Sequence, residues 1–269
     1  MAIITISRGS YSMGVIVAEQ VAQRLGYSVI SRDLLLDASD RFHIPEFKLI
    51  RAIHDAPTIL ERFSHNKQAY LAYIRAALAE RVSGGNVVYH GLAGHILLKN
   101  IEGVLKVRIT ADMNYRAARE AKREGISEQE ARSILEKDDQ QRRRWTKSVH
   151  GADPWDSSLY DLVIRIDRFK VDDAVDFICR AVESEGFRAT EKSLQMLNDL
   201  ALACRVKVEL VDEFPTLGVT CQYGNVIIYT KDKSHGSKLQ KQLEAVRAKI
   251  GGIYNLEIHS AASFPPDAV

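Results

Sequence analysis

Apolar positions in the first half of the chain follow two alternating rhythms. Short runs rich in Ile and Val, at Ile3 to Ser7, Ser28 to Ile30, Asn86 to Tyr89, Leu105 to Thr110 and Leu162 to Ile166, read as buried strands. Longer stretches with helical spacing separate them. Val15, Ala18, Val21 and Leu25 form one stripe that Gly26 ends, and Ile59, Phe63, Tyr70, Tyr73, Ile74 and Leu78 are candidate core of a long helical region. This alternation predicts βαβ units and an α/β fold, a parallel sheet flanked by helices. Right-handed crossovers then gather the strand C-termini and their loops along one edge, where ligands bind.

The rhythm changes at Glu183 to Arg188, a Glu-Ser-Glu-Gly stretch that reads as a linker. A helix is expected from about Thr190 to Val206. Val219 to Gln222 and Val226 to Thr230 then carry a hairpin signal around Tyr223-Gly224-Asn225. A polar helix from about Ser234 to Lys249 and a last strand, Tyr254 to His259, complete a small α+β unit. The tail Phe264-Pro265-Pro266 is expected to be disordered. The expected division is therefore 1–186 and 187–264.

Bulk properties narrow the function classes. A length of 269 residues suits two domains, and a net charge of +2 is too small to imply nucleic acid or a membrane surface as partner. The three cysteines, Cys179, Cys204 and Cys221, lie far apart in apolar stretches, as core residues of a protein in a reducing compartment do. The N-terminus lacks a signal-peptide pattern and no window reaches the roughly 20 apolar residues of a membrane span. A cytoplasmic location is expected, and no metal-ligating residue is assigned.

The candidate chemistry starts at Gly9-Ser10-Tyr11-Ser12-Met13-Gly14, between the first strand and its helix. The spacing satisfies the first part of GxxxxGK[ST], whose main-chain N–H groups cradle phosphate at a helix N-terminus. Val15 and Ile16 stand where Lys and Ser/Thr would follow, and Arg8 is a candidate replacement cation. A tight strand–helix turn without a ligand is the alternative. Arg116, Arg119 and Arg123 share a helix face, as phosphate ligands or as a solvated face. Asp138-Asp139-Gln-Gln-Arg142-Arg143-Arg144-Trp145 is sharper, although Asp138–Arg142 and Asp139–Arg143 would also make ordinary i,i+4 pairs.

These segments together resemble the cytidylate kinase-like family over about two-thirds of the chain, to about Val182. Ser7, Arg8, Ser12, Gly14 and Ala18 match its opening, Arg116 and Arg119 the start of its lid, and 138–145 the lid itself. Gly151 to Ile164 looks like the family's segment leading into its last strand, with Trp155 and Tyr160 as packing anchors. The resemblance implies a P-loop NTPase-type sheet that binds ATP with Mg²⁺ and transfers the γ-phosphoryl to a nucleoside monophosphate. It implies that Arg8 to Gly14, with Arg116 and Arg119, hold the nucleotide, and that Arg142 and Arg144 reach the donor phosphates or the transferring group. Arg32 would hold the acceptor phosphate and Asp33 would orient the attacking oxygen, an N-cap role for Asp33 or Ser31 being the alternative. The strand ending His90-Gly91-Leu92-Ala93-Gly94-His95 lacks the family's arginine, for which His90 and His95 are weak substitutes, a structural or solvated histidine being the alternative. Leu200 to His259 resembles a BON domain, a small interaction module. Lys231, Lys233, Lys238 and Lys241 there form a surface for a protein or anionic partner, or a solvated face. An intracellular kinase-like neighbour argues against a membrane role. The second functional reading is a degenerate nucleotide sensor that signals through this C-terminal unit.

Overall fold

The computed structural model describes residues 2–10, 12–31, 33–43, 64–91, 93–231 and 236–269, excepting the side chains at 33, 64–67 and 236–237. Ile59 and Phe63 lie outside the described residues. The described part forms two compact units, one from 2–33 and 85–189, the other from 34–43, 64–84 and 190–269. The chain thus passes from one to the other at 33–34, 84–85 and 189–190. Residues 34–43 and 64–84 group with the C-terminal elements, across the expected division at 186.

In the first unit β1 (Ile3–Arg8), β2 (Ser28–Ile30), β3 (Val87–Tyr89), β4 (Val104–Thr110) and β5 (Leu162–Arg165) form a sheet of order β2-β3-β1-β4-β5. Every pairing in it is parallel. β1 is flanked by β3 on one side and β4 on the other, so its C-terminal end opens at the point where the strand order reverses. Helix α1 (Gly14–Leu25) leads out of that end. Its face of Val17, Ala18 and Val21 packs on Ile4, Ile6 and Leu105, and Val175 and Ile178 of α7 (Val171–Val182) join the same core. Gly26 stops α1 in the left-handed region, with φ 67, as its position after Leu25 predicts.

A short helix α4 (Gly94–Leu97) follows β3. A Cβ at Gly91 or Gly94 would run into the Tyr89 ring, so both glycines let the chain close over that side chain. Helices α5 (Met113–Glu124) and α6 (Glu128–His150) form a hairpin around Ala117, Ala121, Ala131 and Leu135. Asp112 and Ser127 accept N–H groups of the first turns, and Gly125 supplies the left-handed C-cap between the two helices. The Glu183 to Arg188 stretch is no free linker. Glu185–Phe187 forms a 3-10 turn and Phe187 packs on the core of the first unit. One apolar ring is enough to dock an otherwise polar segment.

The second unit holds α2 (Asp33–Phe42) beyond its first residue, α3 (Ser64–Ser83), α8 (Glu191–Val211) and α9 (Gly236–Lys249). Its sheet is β6 (Gly218–Gln222), β7 (Asn225–Thr230) and β8 (Asn255–Ser260), with β6 antiparallel and β8 parallel to β7. The hairpin turn is two residues long. Tyr223 and Gly224 have φ of 51 and 76, the paired positive values of a type I′ turn. The tail is ordered, contrary to expectation. Val269 exchanges main-chain hydrogen bonds of 2.9 and 3.3 Å with Val219, and Phe264 lies against the Tyr229 ring. An unpaired sheet edge and an exposed aromatic face outweigh the two prolines.

Candidate functional site

Hydrogen bonds fix the loop after β1 in place, the Ser12 N–H turning back to Gly9 O at 3.3 Å. Gly9 N–H donates to Ile109 O at 3.1 Å, pinning the loop to β4. The buried Ser12 hydroxyl lies 3.0 Å from Gly9 O and 3.1 Å from Ile109 O. Met13 turns the chain into α1 at φ 61 with no side-chain cap. The first N–H groups of α1 therefore point out of the helix end with their dipole, the usual seat of an anion. Gly14 is sterically required, since a Cβ there would sit 2.8 Å from the Arg8 Cβ. The stem of Arg8 thus lies along the loop.

An anion already stands at this loop, supplied by the helical hairpin. Asp139 of α6 accepts the Ser10 N–H at 3.1 Å through one oxygen and Arg116 of α5 at 2.8 Å through the other. Arg116 also donates to Ser10 O at 3.1 Å. The side chains of this ion pair are 8% and 12% exposed, which removes most solvent screening. Arg116 Nε and Ser10 Oγ are buried with no partner among the described residues, so the cluster keeps unused donors. Arg116 thus brings a cation to a loop whose sequence has no lysine.

The other arginines divide. Arg119 is exposed with its guanidinium over the Tyr115 ring, and Arg123 pairs with Glu120 and Glu124. The shared face of Arg116, Arg119 and Arg123 therefore does not act as one cluster. Arg143 grips Asp153 with three contacts of 2.6 to 3.1 Å and lies 4.1 Å above the Trp155 ring. The alternative Asp139–Arg143 pair does not form, because Arg116 and the Ser10 N–H hold Asp139 while Asp153 holds Arg143. Arg142 is half-buried and Arg144 exposed on α6, and neither has a side-chain ion pair among the described residues. Asp33 opens α2, its side chain outside the described residues. Arg32 and Tyr11 lie outside them as well.

Asp153 is held well below the ordinary carboxylate range, first by the Arg143 hydrogen bonds and then by Lys147 and the Trp155 N–H. A depressed carboxyl stabilises the fold above its unfolded value near 4, and that contribution fades as pH falls below it. Asp153→Asn is expected to lower the melting temperature at pH 7 and to leave a shallower decline between pH 4 and 3. A series of thermal unfolding curves across that range checks both; parallel curves for the two proteins would rule the clamp out.

A polar knot under the site was not visible in the sequence. Tyr160 Oη lies 3.1 Å from His95 Nε2 and 3.2 Å from Ser7 Oγ, and donates to Pro154 O at 2.9 Å. Arg108 of β4 reaches Tyr160 Oη at 3.3 Å and also bonds Pro154 O. Burial, then the Arg108 charge, push His95 down to about 3, so it is neutral. His95 cannot replace the missing acceptor arginine as a cation. The available signal was Lys106 and Arg108 at alternate positions of an otherwise apolar central strand.

Among the described residues no group of three or more His, Cys, Asp or Glu is placed to hold a metal. Ser12 is committed to carbonyls, and Val15 and Ile16 offer no ligand oxygen. The described side chains therefore do not fit a resident Mg²⁺. Among the described residues, no helix is long and apolar enough to cross a membrane.

A parallel five-stranded sheet with an anion-holding loop at its switch point, opening a helix, defines a P-loop type of α/β protein. Residues 3–168 match the cytidylate kinase-like family, and the chain belongs to that family. It is 31% identical over 193 residues to cytidylate kinase of Archaeoglobus fulgidus, spanning 70% of this chain and 99% of that relative. Against cytidylate kinases of Methanopyrus kandleri and Pyrococcus horikoshii identity is 32% and 35%, over 39% of this chain. Those matches span 58% and 53% of the two relatives' own length. Among solved structures, an uncharacterized protein from Eubacterium ventriosum is similar in fold, with TM-score 0.53 and 20% identity over 69% of this chain and all of that one.

Proposed function

We propose that the first unit transfers the γ-phosphoryl group of ATP to a nucleoside monophosphate, a CMP-like acceptor by resemblance. The observation that carries this reading is the half-buried Asp139 carboxylate held by Ser10 N–H and Arg116 at the mouth of α1. Groups that hold one anion in a dry cleft will hold another, and phosphoryl transfer is chiefly charge neutralisation and alignment. Phosphate entry exchanges one anion for the other, which releases Asp139 and lets the α5–α6 hairpin resettle over the nucleotide. Arg142, three residues along from Asp139 and so on the same side of α6, is the cation that approaches the transferring group. ATP enters as its Mg²⁺ complex, the metal bringing charge compensation to the phosphates; the steps assigned to this chain are binding, orientation and exclusion of water. Arg8, the Ser10 amide that Asp139 gives up and the first amides of α1 line the donor phosphates. The cytoplasm, where ATP is abundant, is the proposed location.

A coupled assay with ATP and each common nucleoside monophosphate, with and without Mg²⁺, tests the reading. Turnover with a pyrimidine monophosphate is expected. ATP binding with no turnover would transfer support to the sensor, which Val15 and the 40% exposed Ile16 favour by standing where the loop lysine and hydroxyl belong. Asp139→Asn is expected to raise ATP affinity about 3- to 10-fold, since a neutral amide competes less well for Arg116. Weaker binding in that variant, by calorimetry, would mean that Asp139 assists the nucleotide rather than yielding to it.

For the second unit we propose a BON-like module, supported by the order α8, β6, β7, α9, β8. The basic surface has less to offer a partner than its composition suggests. Lys238 pairs with Glu213, Lys231 lies over Phe264, and Lys233 is outside the described residues.

A further inference from the structure

The second unit contains a cavity of about 560 Å³ between α3, α8 and the β6–β7 turn. That size is typical of a small-ligand site. Its lining is mostly polar, and its charges are unequally free. Asp199, on α8, accepts the Tyr223 and Gly224 N–H groups at 2.9 and 3.2 Å, Gln195 Nε2 at 3.1 Å and the Cys221 thiol at 3.3 Å. Glu80, on α3, is paired with Arg41. Both carboxylates are therefore already satisfied. Arg205 is the opposite case. Its Nε is buried with no hydrogen-bond partner among the described residues. An unmatched buried N–H on a cation is costly, and none of the described residues supplies the acceptor it calls for.

The rim adds two tyrosines with no packing role in proportion to their size. Tyr254 is 81% exposed and Tyr223 59% exposed. Tyr223 also occupies a position of the type I′ turn, at φ 51, where Asn or Gly is the residue without strain. A bulky ring in the left-handed region is uncommon and strained, and Asp199 holds the turn in that conformation. Tyr254 lies so close over Gly224 that a Cβ there would meet its ring. The two phenols thus flank one turn at the cavity mouth, with Arg205, Asn198 and Ser83 in the same lining.

We propose that this cavity is a ligand site, separate from the phosphate loop, for a small molecule that joins a flat ring to one anionic group. The ring lies against Tyr223 and Tyr254, the anion meets Arg205, and the amide and hydroxyl side chains take intervening polar atoms. A nucleoside monophosphate and a ring-bearing carboxylate share this chemistry. The proposal stands whether or not the first unit is a kinase.

The test uses the full chain with AMP, CMP and indole-3-acetate as probes. Hydrogen exchange is followed at the β6–β7 turn and at 252–254, so that binding at the phosphate loop is not mistaken for binding here. Protection there by one probe class at millimolar concentration or below is expected, and the class identifies the source. Arg205→Gln is expected to weaken that protection about tenfold or more. Tyr223→Asn separates ligand from fold: relief of turn strain should hold or raise the melting temperature, while binding weakens severalfold. Protection by none of the probes, or protection unchanged in Arg205→Gln, would overturn the proposal. So would a Tyr223→Asn protein that binds as the wild type does.

Discussion

Arg116→Ala is expected to weaken ATP binding at the loop by about a hundredfold or more, on the scale of losing a desolvated charge partner. Arg116 is 7% exposed, touches both the loop carbonyl of Ser10 and the resident carboxylate, and keeps a buried Nε unused. It therefore has the position and spare donors that a phosphate would use in a loop without lysine. Arg116→Lys should recover only part of the loss, because an ammonium cannot form the two-pronged contact of a guanidinium. Removing Arg116 alone strands Asp139 in a buried place, which by itself destabilises the fold. The double variant Arg116→Ala with Asp139→Asn removes that objection and should bind as poorly as the single one. Calorimetry with ATP gives the answer. Affinity within threefold of wild type in the folded double variant would discard Arg116 as the phosphate ligand.

The second large effect is placed on the lid. Asp139 marks the side of α6 that faces the loop. At about 100° per residue, Arg142 lies about 60° from that direction and Arg144 about 140° away. Arg142→Ala is expected to reduce kcat by about 10²- to 10³-fold with little change in ATP affinity, as for removal of a group that acts on developing charge. Arg144→Ala should change kcat by no more than a few fold. Neither side chain has a described ion pair, so melting temperatures should stay near wild type and the comparison is one of chemistry, not folding. Equal losses at the two positions would mean that α6 turns or unwinds on closing. Equal silence would remove the lid arginines from the reaction.

The five strands of the first unit were legible to within a residue or two, because short Ile- and Val-rich runs between helical stretches suit a parallel sheet covered on both faces. The hairpin of the second unit was legible from its own β-branched runs together with its glycine turn. What periodicity does not say is which surface covers an apolar stripe. Tyr73 and Ala72 of α3 pack with Val208 and Val211 of α8, partners more than a hundred residues on. The chemistry of the site divided in the same way. The loop could be found from spacing and context. The role of Asp139 could not, because its local choice, Arg143 four residues away, is as sound in a helix as its actual partners. Only the α5–α6 hairpin brings Arg116 near enough to win. His95 leaves the same gap: the sequence offers a structural or a solvated histidine, and burial, then the Arg108 charge, makes it a neutral one.

The placement of β1 inside its sheet has a consequence for how the chain matures. β1 is made before both of its partners, for it pairs on one side with 87–89 and on the other with 104–110. Until 87–89 has emerged, Ile3, Ile4 and Ile6 have no strand to join, and they stay available to whatever else is nearby. The hairpin of the second unit needs only its own few residues. Assembly should therefore be uneven, with β1 waiting on partners made much later while the hairpin closes locally, as long-range closure demands. A nascent-chain chaperone would find its client in these opening residues.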